Sequence, residues 1–252
     1  GQSMHCLLVK QGLEGETPIA NMFLDMYAKC ALLEEAHSVF VMLAVKDIFS
    51  WSALIAAYTE HGHAEEALWY FQEMQWKGIT FDVGTLICCL KSCGSIGWLY
   101  VCREIHAIIT RIGLQNDTVI GNSLLDTYIK CGLLEEAQET FDRLAVQDII
   151  SWTTLITGYS QLGMIEDVFR TFKKMLIECM EPNIVTFTSV LNAFCHGGLV
   201  NDAEICFLSI CSHYQFIPTI EHYTSMLDLF GRADLVDDAV SVITNMPFHP
   251  GI

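Results

Sequence analysis

Between Ile48 and Asp82 the apolar residues recur at helical spacing. Trp51, Leu54, Ile55 and Tyr58 share one helical face, Gly62 interrupts, and Ala67, Leu68, Phe71 and Met74 form the stripe of a second helix that Gly78 ends. The pattern predicts a helical hairpin over 48–82. It returns further along the chain. Displacing the sequence by 101 residues brings 17–82 onto 118–183 with 28 of 66 positions identical, and Leu32–Ala36 (LLEEA) reappears as Leu133–Ala137.

A finer period lies inside the 101 residues: units of 31 (17–47), 35 (48–82) and 35 (83–117). The second cycle runs 118–148, 149–183 and 184–219, with one extra residue, and a further unit fills 220–250. Residues 1–16 match the second half of a 35-residue unit, since His5, Gly12 and Leu13 align with His106, Gly113 and Leu114; residues 251–252 open a following motif. The chain therefore reads as a piece of a longer array. Two helices of about 12 residues are marginal in isolation. Stacking consecutive pairs buries their apolar faces, so the expectation is an all-α solenoid of antiparallel helix pairs. Small residues such as Ala36, Ala67 and Ala137 are expected to let the two helices of a pair approach closely.

Composition agrees. A solenoid presents both helices of a pair to neighbours, which accounts for 52% hydrophobic residues and excludes a disordered chain. No stretch reaches the ~18 uninterrupted apolar residues of a spanning helix, so a soluble chain without membrane contact is expected. Thirty acidic against 13 basic side chains leave a net charge of −17, which speaks against non-specific nucleic-acid binding. Many of the acids (Glu34, Glu35, Glu65, Glu66, Glu135, Glu136, Asp237, Asp238) open predicted second helices, where they favour the helix dipole. The 11 cysteines form no C-x-x-C. Cys89-x₃-Cys93 and Cys206-x₄-Cys211 supply half of a zinc site at most, so no metal is expected and the thiols read as small buried apolar groups.

Helix pairs of this length occur in tetratricopeptide repeats, but Ile55 and Ile156 stand where that pattern has glycine. The alternation of 31, 35 and 35, with phrases such as "LDMYAKCALLEEAHSVF", "DIISWTTLITGYSQLG", "EPNIVTFTSVLNAFCHGGLV" and "EHYTSMLDLFGRADLVDDA", resembles the pentatricopeptide repeat (PPR) family in its plant subclass of P, L and S units, over residues 1–252. The unit order is then S-P-L-S-P-L-S after the N-terminal half unit. The resemblance implies a right-handed superhelix and recognition of single-stranded RNA, one base per repeat.

In that family the fifth and last residues of a unit read the base. Carried onto this chain, Asn21 with Asp47 and Asn122 with Asp148 imply U, Ser52 with Asp82 implies G, and Thr153 with Asn183 implies A. Ile87 with Asp117, Thr188 with Thr219, and Thr224 with Pro250 carry no code. The implied sequence is 5′-U-G-n-U-A-n-n-3′. Residues at position two (Phe49, Val119, Ile150, Val185, and Pro18) would sandwich bases, a pattern broken by Gly84 and Glu221. Lys29, Lys130 and Arg232 stand eight residues after their readers and suit phosphate contacts; Asp25, Asp126 and Asp228, four residues before each cation, equally suit i, i+4 ion pairs.

Other readings stand beside these. Asn21 and Asn122 lie near helix starts and could be N-caps. Trp51 and Trp152 sit in apolar stripes as packing anchors, and His5 and His106 read as interior histidines. Asn116-Asp117-Thr118 fits the glycosylation sequon as an accidental match. Relatives of this subclass often end in a cytidine deaminase domain, whose zinc site needs H-x-E with P-C-x-x-C. His63-Ala64-Glu65 meets only the first, so no catalysis and no cofactor are expected here. The resemblance implies a role in organelle C-to-U editing or processing, in mitochondrion or chloroplast, with a deaminase in cis or trans and accessory editing proteins at the L units. The alternative is a tetratricopeptide-like protein-binding scaffold, which the acidity favours.

Overall fold

A computed structural model describes residues 17–244 and Met246; the half unit 1–16 with His5, and the C-terminal positions Pro250 and 251–252, lie outside the described residues. Fourteen helices and no strand occur among the described residues. They alternate as first and second members of seven pairs: α1 (Thr17–Lys29) and α2 (Leu33–Met42), α3 (Ile48–Glu60) and α4 (Ala64–Trp76), α5 (Val83–Ile96) and α6 (Leu99–Arg111), α7 (Thr118–Lys130) and α8 (Leu134–Arg143), α9 (Ile149–Gln161) and α10 (Ile165–Ile177), α11 (Ile184–His196) and α12 (Val200–Ser212), α13 (Ile220–Arg232) and α14 (Val236–Thr244). The chain divides into two compact units, Gly1–Thr140 and Phe141–Ile252.

Within each unit the first helices pack side by side: α1 on α3, α3 on α5 and α5 on α7 in one, α9 on α11 and α11 on α13 in the other. Second helices pack on the first helices of their pairs, as α2 on α1, α4 on α3 and α10 on α9. This is an α-solenoid, and it explains the apolar excess. First helices are covered by their neighbouring first helices within a unit and by a partner helix, and Trp51, Leu54, Ile55, Trp152 and Ile156 are at most 1% exposed. Trp51 and Trp152 are packing anchors, each meeting a phenylalanine of the preceding second helix or its register edge-on: Phe40 at 4.8 Å and Phe141 at 4.7 Å.

The twentieth position of successive pairs is occupied by Ala36, Ala67, Cys102, Ala137, Val168 and Ala203, all with 0% exposure. A small side chain there lets the second helix lie close against its neighbours.

The helix boundaries have a local cause. Asp47, Asp82, Asp117, Asp148 and Asn183 each stand just before a first helix, and the side chain of each accepts a hydrogen bond from a backbone N–H of the first turn. Asn21 and Asn122 lie inside α1 and α7, each the fifth residue of its helix, so the N-cap reading of these two asparagines is corrected: capping falls to the residue that ends each unit. The links between paired helices require a left-handed backbone, as at Gly97, where φ is +74° and the N–H donates to the Cys93 carbonyl at 2.8 Å.

The cysteine reading also needs correction. Cys89, Cys93, Cys102, Cys195 and Cys206 are buried, but Cys30, Cys179 and Cys211 are exposed. Burial pushes the Cys102 and Cys206 thiols up to about 12, so they stay protonated and unreactive near neutral pH. Among the described residues no group of three or more His, Cys, Asp or Glu side chains is placed to hold a metal ion, and no helix is long and apolar enough to cross a membrane.

Candidate nucleic-acid interface

The residue that caps each first helix is also the one assigned, with the fifth residue of the preceding pair, to base reading. In the first unit these two positions meet. Asn21 Nδ2 donates to both carboxylate oxygens of Asp47, at 3.2 and 3.3 Å, while Asp47 Oδ1 accepts the Ser50 N–H at 2.9 Å. Burial works to raise the Asp47 carboxyl, but the hydrogen bonds from the Ser50 N–H and the Asn21 amide outweigh it and hold the group below its ordinary value. Asp47 is therefore a carboxylate that clamps the Asn21 amide in one orientation. The Asn21 Oδ1 atom is buried and has no hydrogen-bond partner in the protein.

The next pair of positions is joined through a third residue. Ser52 Oγ lies 2.7 Å from Thr85 Oγ1 and 3.4 Å from Asp82 Oδ2. Thr85 Oγ1 in turn donates to Asp82 Oδ1 at 2.6 Å, which leaves Ser52 as the donor to Thr85. In the second unit the arrangement repeats. Thr153 Oγ1 and Thr186 Oγ1 are 2.8 Å apart, and Thr186 Oγ1 donates to Asn183 Oδ1 at 3.1 Å. Thr153 is only 8% exposed. Asn122 is half-buried in α7, and Asp148 caps α9 by accepting the Ser151 N–H at 2.8 Å.

Positions without a code follow the same geometry with different chemistry. Asp117 accepts the Ile120 N–H at 2.9 Å, and Ile87 offers only an apolar side chain. Thr188 Oγ1 lies 3.1 Å from His222 Nε2, and His222 Nδ1 accepts the Thr219 N–H at 3.0 Å. Thr224 is exposed and its hydroxyl donates to the Glu221 carbonyl at 2.9 Å.

The bridging residues, Thr85, Thr186 and His222, stand three places after the closing residue and were missed from the sequence. The signal was present. D-x-x-[ST] or N-x-x-T recurs at Asp47–Ser50, Asp82–Thr85, Asp148–Ser151 and Asn183–Thr186, and it marks a helix start whose third residue carries a hydroxyl.

One turn before the fifth position the second residue of each first helix points to solvent. Phe49 is 68% exposed, Val119 60%, Ile150 57% and Val185 51%. Single exposed apolar side chains are ordinary, but here they recur at one position of four first helices, α3, α7, α9 and α11, with Gly84 of α5 interrupting the series. The cations predicted for phosphate contact hold the ion pairs that the same spacing allows: Lys29 with Asp25 at 2.7 Å, Lys130 with Asp126 at 2.6 Å and Arg232 with Asp228 at 2.8 Å. The Asp25 hydrogen bond raises the Lys29 ammonium above its ordinary value. Arg232 Nη2 also donates to the Cys195 carbonyl at 2.6 Å, tying α13 to α11.

His106 is half-buried, with Nδ1 2.6 Å from the Tyr128 hydroxyl. His63 is exposed, precedes α4, and lies 3.6 Å from Glu66.

Stacked helical hairpins with a polar side chain at a fixed position of every described first helix but α5 define a class: the helical-hairpin repeat proteins. The comparisons with known proteins identify which. The profile described as "PPR repeat family" matches residues 147–196, and that described as "PPR repeat" matches 49–79, 122–149, 185–213 and 221–248. The chain belongs to the pentatricopeptide repeat family. It is 35% identical over 254 residues to the Arabidopsis thaliana pentatricopeptide repeat-containing protein At2g03380, mitochondrial, covering 100% of this chain and 37% of that protein. It is likewise 35% identical to the Arabidopsis thaliana protein CRR2, chloroplastic, with 100% and 38% covered. The chain thus spans about two-fifths of the length of the curated relatives it matches. Among solved structures it resembles the crystal structure of PPR10 from maize, with a TM-score of 0.70 and 20% identity over 90% of this chain and 33% of that one. PPR10 in complex with an 18-nt psaJ RNA element matches with a TM-score of 0.59 and 19% identity, over 97% and 42%.

Proposed function

We propose that this chain binds single-stranded RNA through its first helices, one base to each pair. The observation that carries the reading is the Asn21–Asp47 clamp. A carboxylate fixes the amide nitrogen and leaves a buried carbonyl oxygen without a partner. An amide held in one orientation presents a fixed hydrogen-bonding edge, which a base with complementary groups on its pairing edge, as uracil has, can meet. Ser52 with Asp82 and Thr153 with Asn183 are assigned to the second and fifth bases, with Thr85 and Thr186 as the bridging groups. Asn122 and Asp148 are assigned the roles of Asn21 and Asp47 for the fourth base. Phe49, Val119, Ile150 and Val185 stack against the bases, where aromatic contacts contribute ~1–3 kcal/mol each. Lys29 and Lys130 reach phosphates by opening or sharing their ion pairs; Arg232, committed to the Cys195 carbonyl, is the weakest of the three for that role.

This assignment treats 17–47, 118–148 and 220–250 as S units, 48–82 and 149–183 as P units, and 83–117 and 184–219 as L units, and reads 5′-U-G-n-U-A-n-n-3′. By analogy with the family, the bound RNA is an organelle transcript, and its editing or processing is performed by a deaminase or other enzyme outside these residues. The test is a competition titration in low salt. Oligonucleotides containing UGnUA should outcompete scrambled ones, and Asn21→Thr with Asp47 retained should move the first-base preference from U toward G. Equal binding of all sequences by both proteins would reject the base code and leave the protein-binding scaffold as the reading.

A further inference from the structure

The second helices carry a separate feature. Between α4 and the start of α6 lies a recess of about 410 Å³ lined by Tyr58, Glu65, Glu66, Trp69, Tyr70, Gln72 and Trp98. Tyr58 and Tyr70 stack with ring centroids 5.3 Å apart, and Trp69 stands edge-on to Tyr70 at 4.7 Å. Trp69 is 52% exposed and Trp98 41%, so both present aromatic surface to solvent. Both glutamates are exposed in the first turn of α4. No lysine or arginine lines the recess. An apolar occupant would cover two carboxylates, of which only Glu66 has a neighbour, His63 at 3.6 Å, and would offer neither a partner of its own, which is unfavourable. A cation satisfies aromatic faces and carboxylates together.

The internal repeat shows which cation fits. Displacement by 101 residues puts Tyr159 at the position of Tyr58, Glu166 and Asp167 at those of Glu65 and Glu66, Arg170 at that of Trp69 and Leu199 at that of Trp98. There the Arg170 guanidinium is ion-paired with Asp167. Burial and Asp167 push the Tyr159 hydroxyl up while Arg170 opposes them. In the first copy the arginine is missing and two tryptophans stand in its surroundings.

We propose that the recess between α4 and α6 docks an arginine side chain presented by a basic segment of a partner protein. A planar guanidinium stacks on Trp69 or Trp98 and forks to the carboxylates of Glu65 and Glu66, whereas an ammonium matches neither geometry as well. The site is distinct from the first-helix row assigned to RNA, and its acids repel phosphates.

The test uses a fluorescein-labelled peptide, GSRGSRGSG, with lysine and citrulline versions in place of arginine, followed by anisotropy at 0.15 M salt so that the chain's general field is screened. The arginine peptide should bind best and the neutral citrulline peptide least. Trp69→Ala, and the double variant Glu65→Gln/Glu66→Gln, should each weaken the arginine peptide about tenfold. Trp69→Arg, which puts the second copy's residue at this position and supplies the carboxylates with a cation from the chain itself, should abolish binding. Glu34→Gln/Glu35→Gln removes the same charge from α2 and should leave binding unchanged. These side chains are at the surface, and circular dichroism should report an unaltered fold for every variant. Equal loss in the α2 variant, or equal binding of all three peptides, would overturn the proposal in favour of non-specific attraction to an acidic protein. Displacement of the peptide by an RNA oligonucleotide would overturn it in favour of nucleic acid at this face.

Discussion

Lys130 shows how one residue can serve two readings that spacing alone leaves open. Its ammonium sits 2.6 Å from Asp126, an exposed i, i+4 pair whose strength is only ~0.3–0.5 kcal/mol. A phosphate can therefore compete for the lysine at little expense. Lys130→Ala should weaken all RNA sequences alike and flatten the salt dependence by about 0.7 in the log–log slope, one phosphate's share for a single strand. Asp126→Asn should act in the opposite direction and tighten all sequences alike. If neither variant changes the slope, Lys130 only decorates its helix. His222 illustrates a residue whose role the sequence did not suggest. It is 1% exposed, accepts the Thr219 N–H through Nδ1, and meets Thr188 through Nε2. Burial lowers its pKa, with Glu221 opposing. Protonation would turn Nδ1 into a donor facing another donor. Because the folded value lies below the unfolded one, near 6.5, the stabilisation is present above pH ~6.5 and is lost as pH falls through the folded value. Urea denaturation of wild type should thus show stability declining on acidification, and the decline should be smaller in His222→Gln.

At the scale of the helices, the sequence repeat is not followed by uniform local chemistry. Most links place a glycine in the left-handed region, but Ala31 (φ 57°), between the helices of a pair, and Cys179 (φ 55°), between successive pairs, occupy it where the other cycle has Gly132 and Gly78. A side chain in that conformation costs roughly 1–2 kcal/mol, partly offset by the extra unfolded-state entropy of glycine. Ala31→Gly and Cys179→Gly should each stabilise the protein by about 0.5–1 kcal/mol, read as a higher urea midpoint at unchanged slope. A lower midpoint would mean that the links are held by packing rather than strained. First helices are also tied to each other by polar pairs: Thr59 with Ser92 at 2.9 Å, Thr127 with the Leu90 carbonyl at 3.1 Å, Thr157 with Ser189 at 2.8 Å, and Ser225 with Asn192 at 2.6 Å. These were not anticipated, because a polar residue inside an amphipathic stripe looks like an interruption until its partner, some 32 to 37 residues away, is known.

For the molecule as a whole, stability is a sum of pair and neighbour terms. Damage should therefore stay local. Ala203 is fully buried in α12, and Ala203→Asp would place an unpaired charge there, costing about 3 kcal/mol or more. Hydrogen exchange should accelerate in α11 and α12 while amides of α3 and α4 keep wild-type protection. Uniform acceleration would show global rather than local cooperativity. The net charge of −17 belongs to the same scale. It opposes RNA at long range through a repulsion that added salt screens, so on the proposed reading recognition comes from short-range contacts at the first helices.

By itself the sequence determined the helix pairs, their order and the family, because periodicity, glycine links and acidic first turns are local or repeat at fixed distance along the chain. It also marked the positions assigned to base reading, but only through the resemblance. The stacking of pairs decided the rest. Asn21 reaches Asp47 across 26 residues and Ser52 reaches Thr85 across 33; Trp98 joins Trp69 at one recess. Those meetings depend on where one hairpin lies against the next, which is set by side-chain packing between repeats and is invisible in any single repeat.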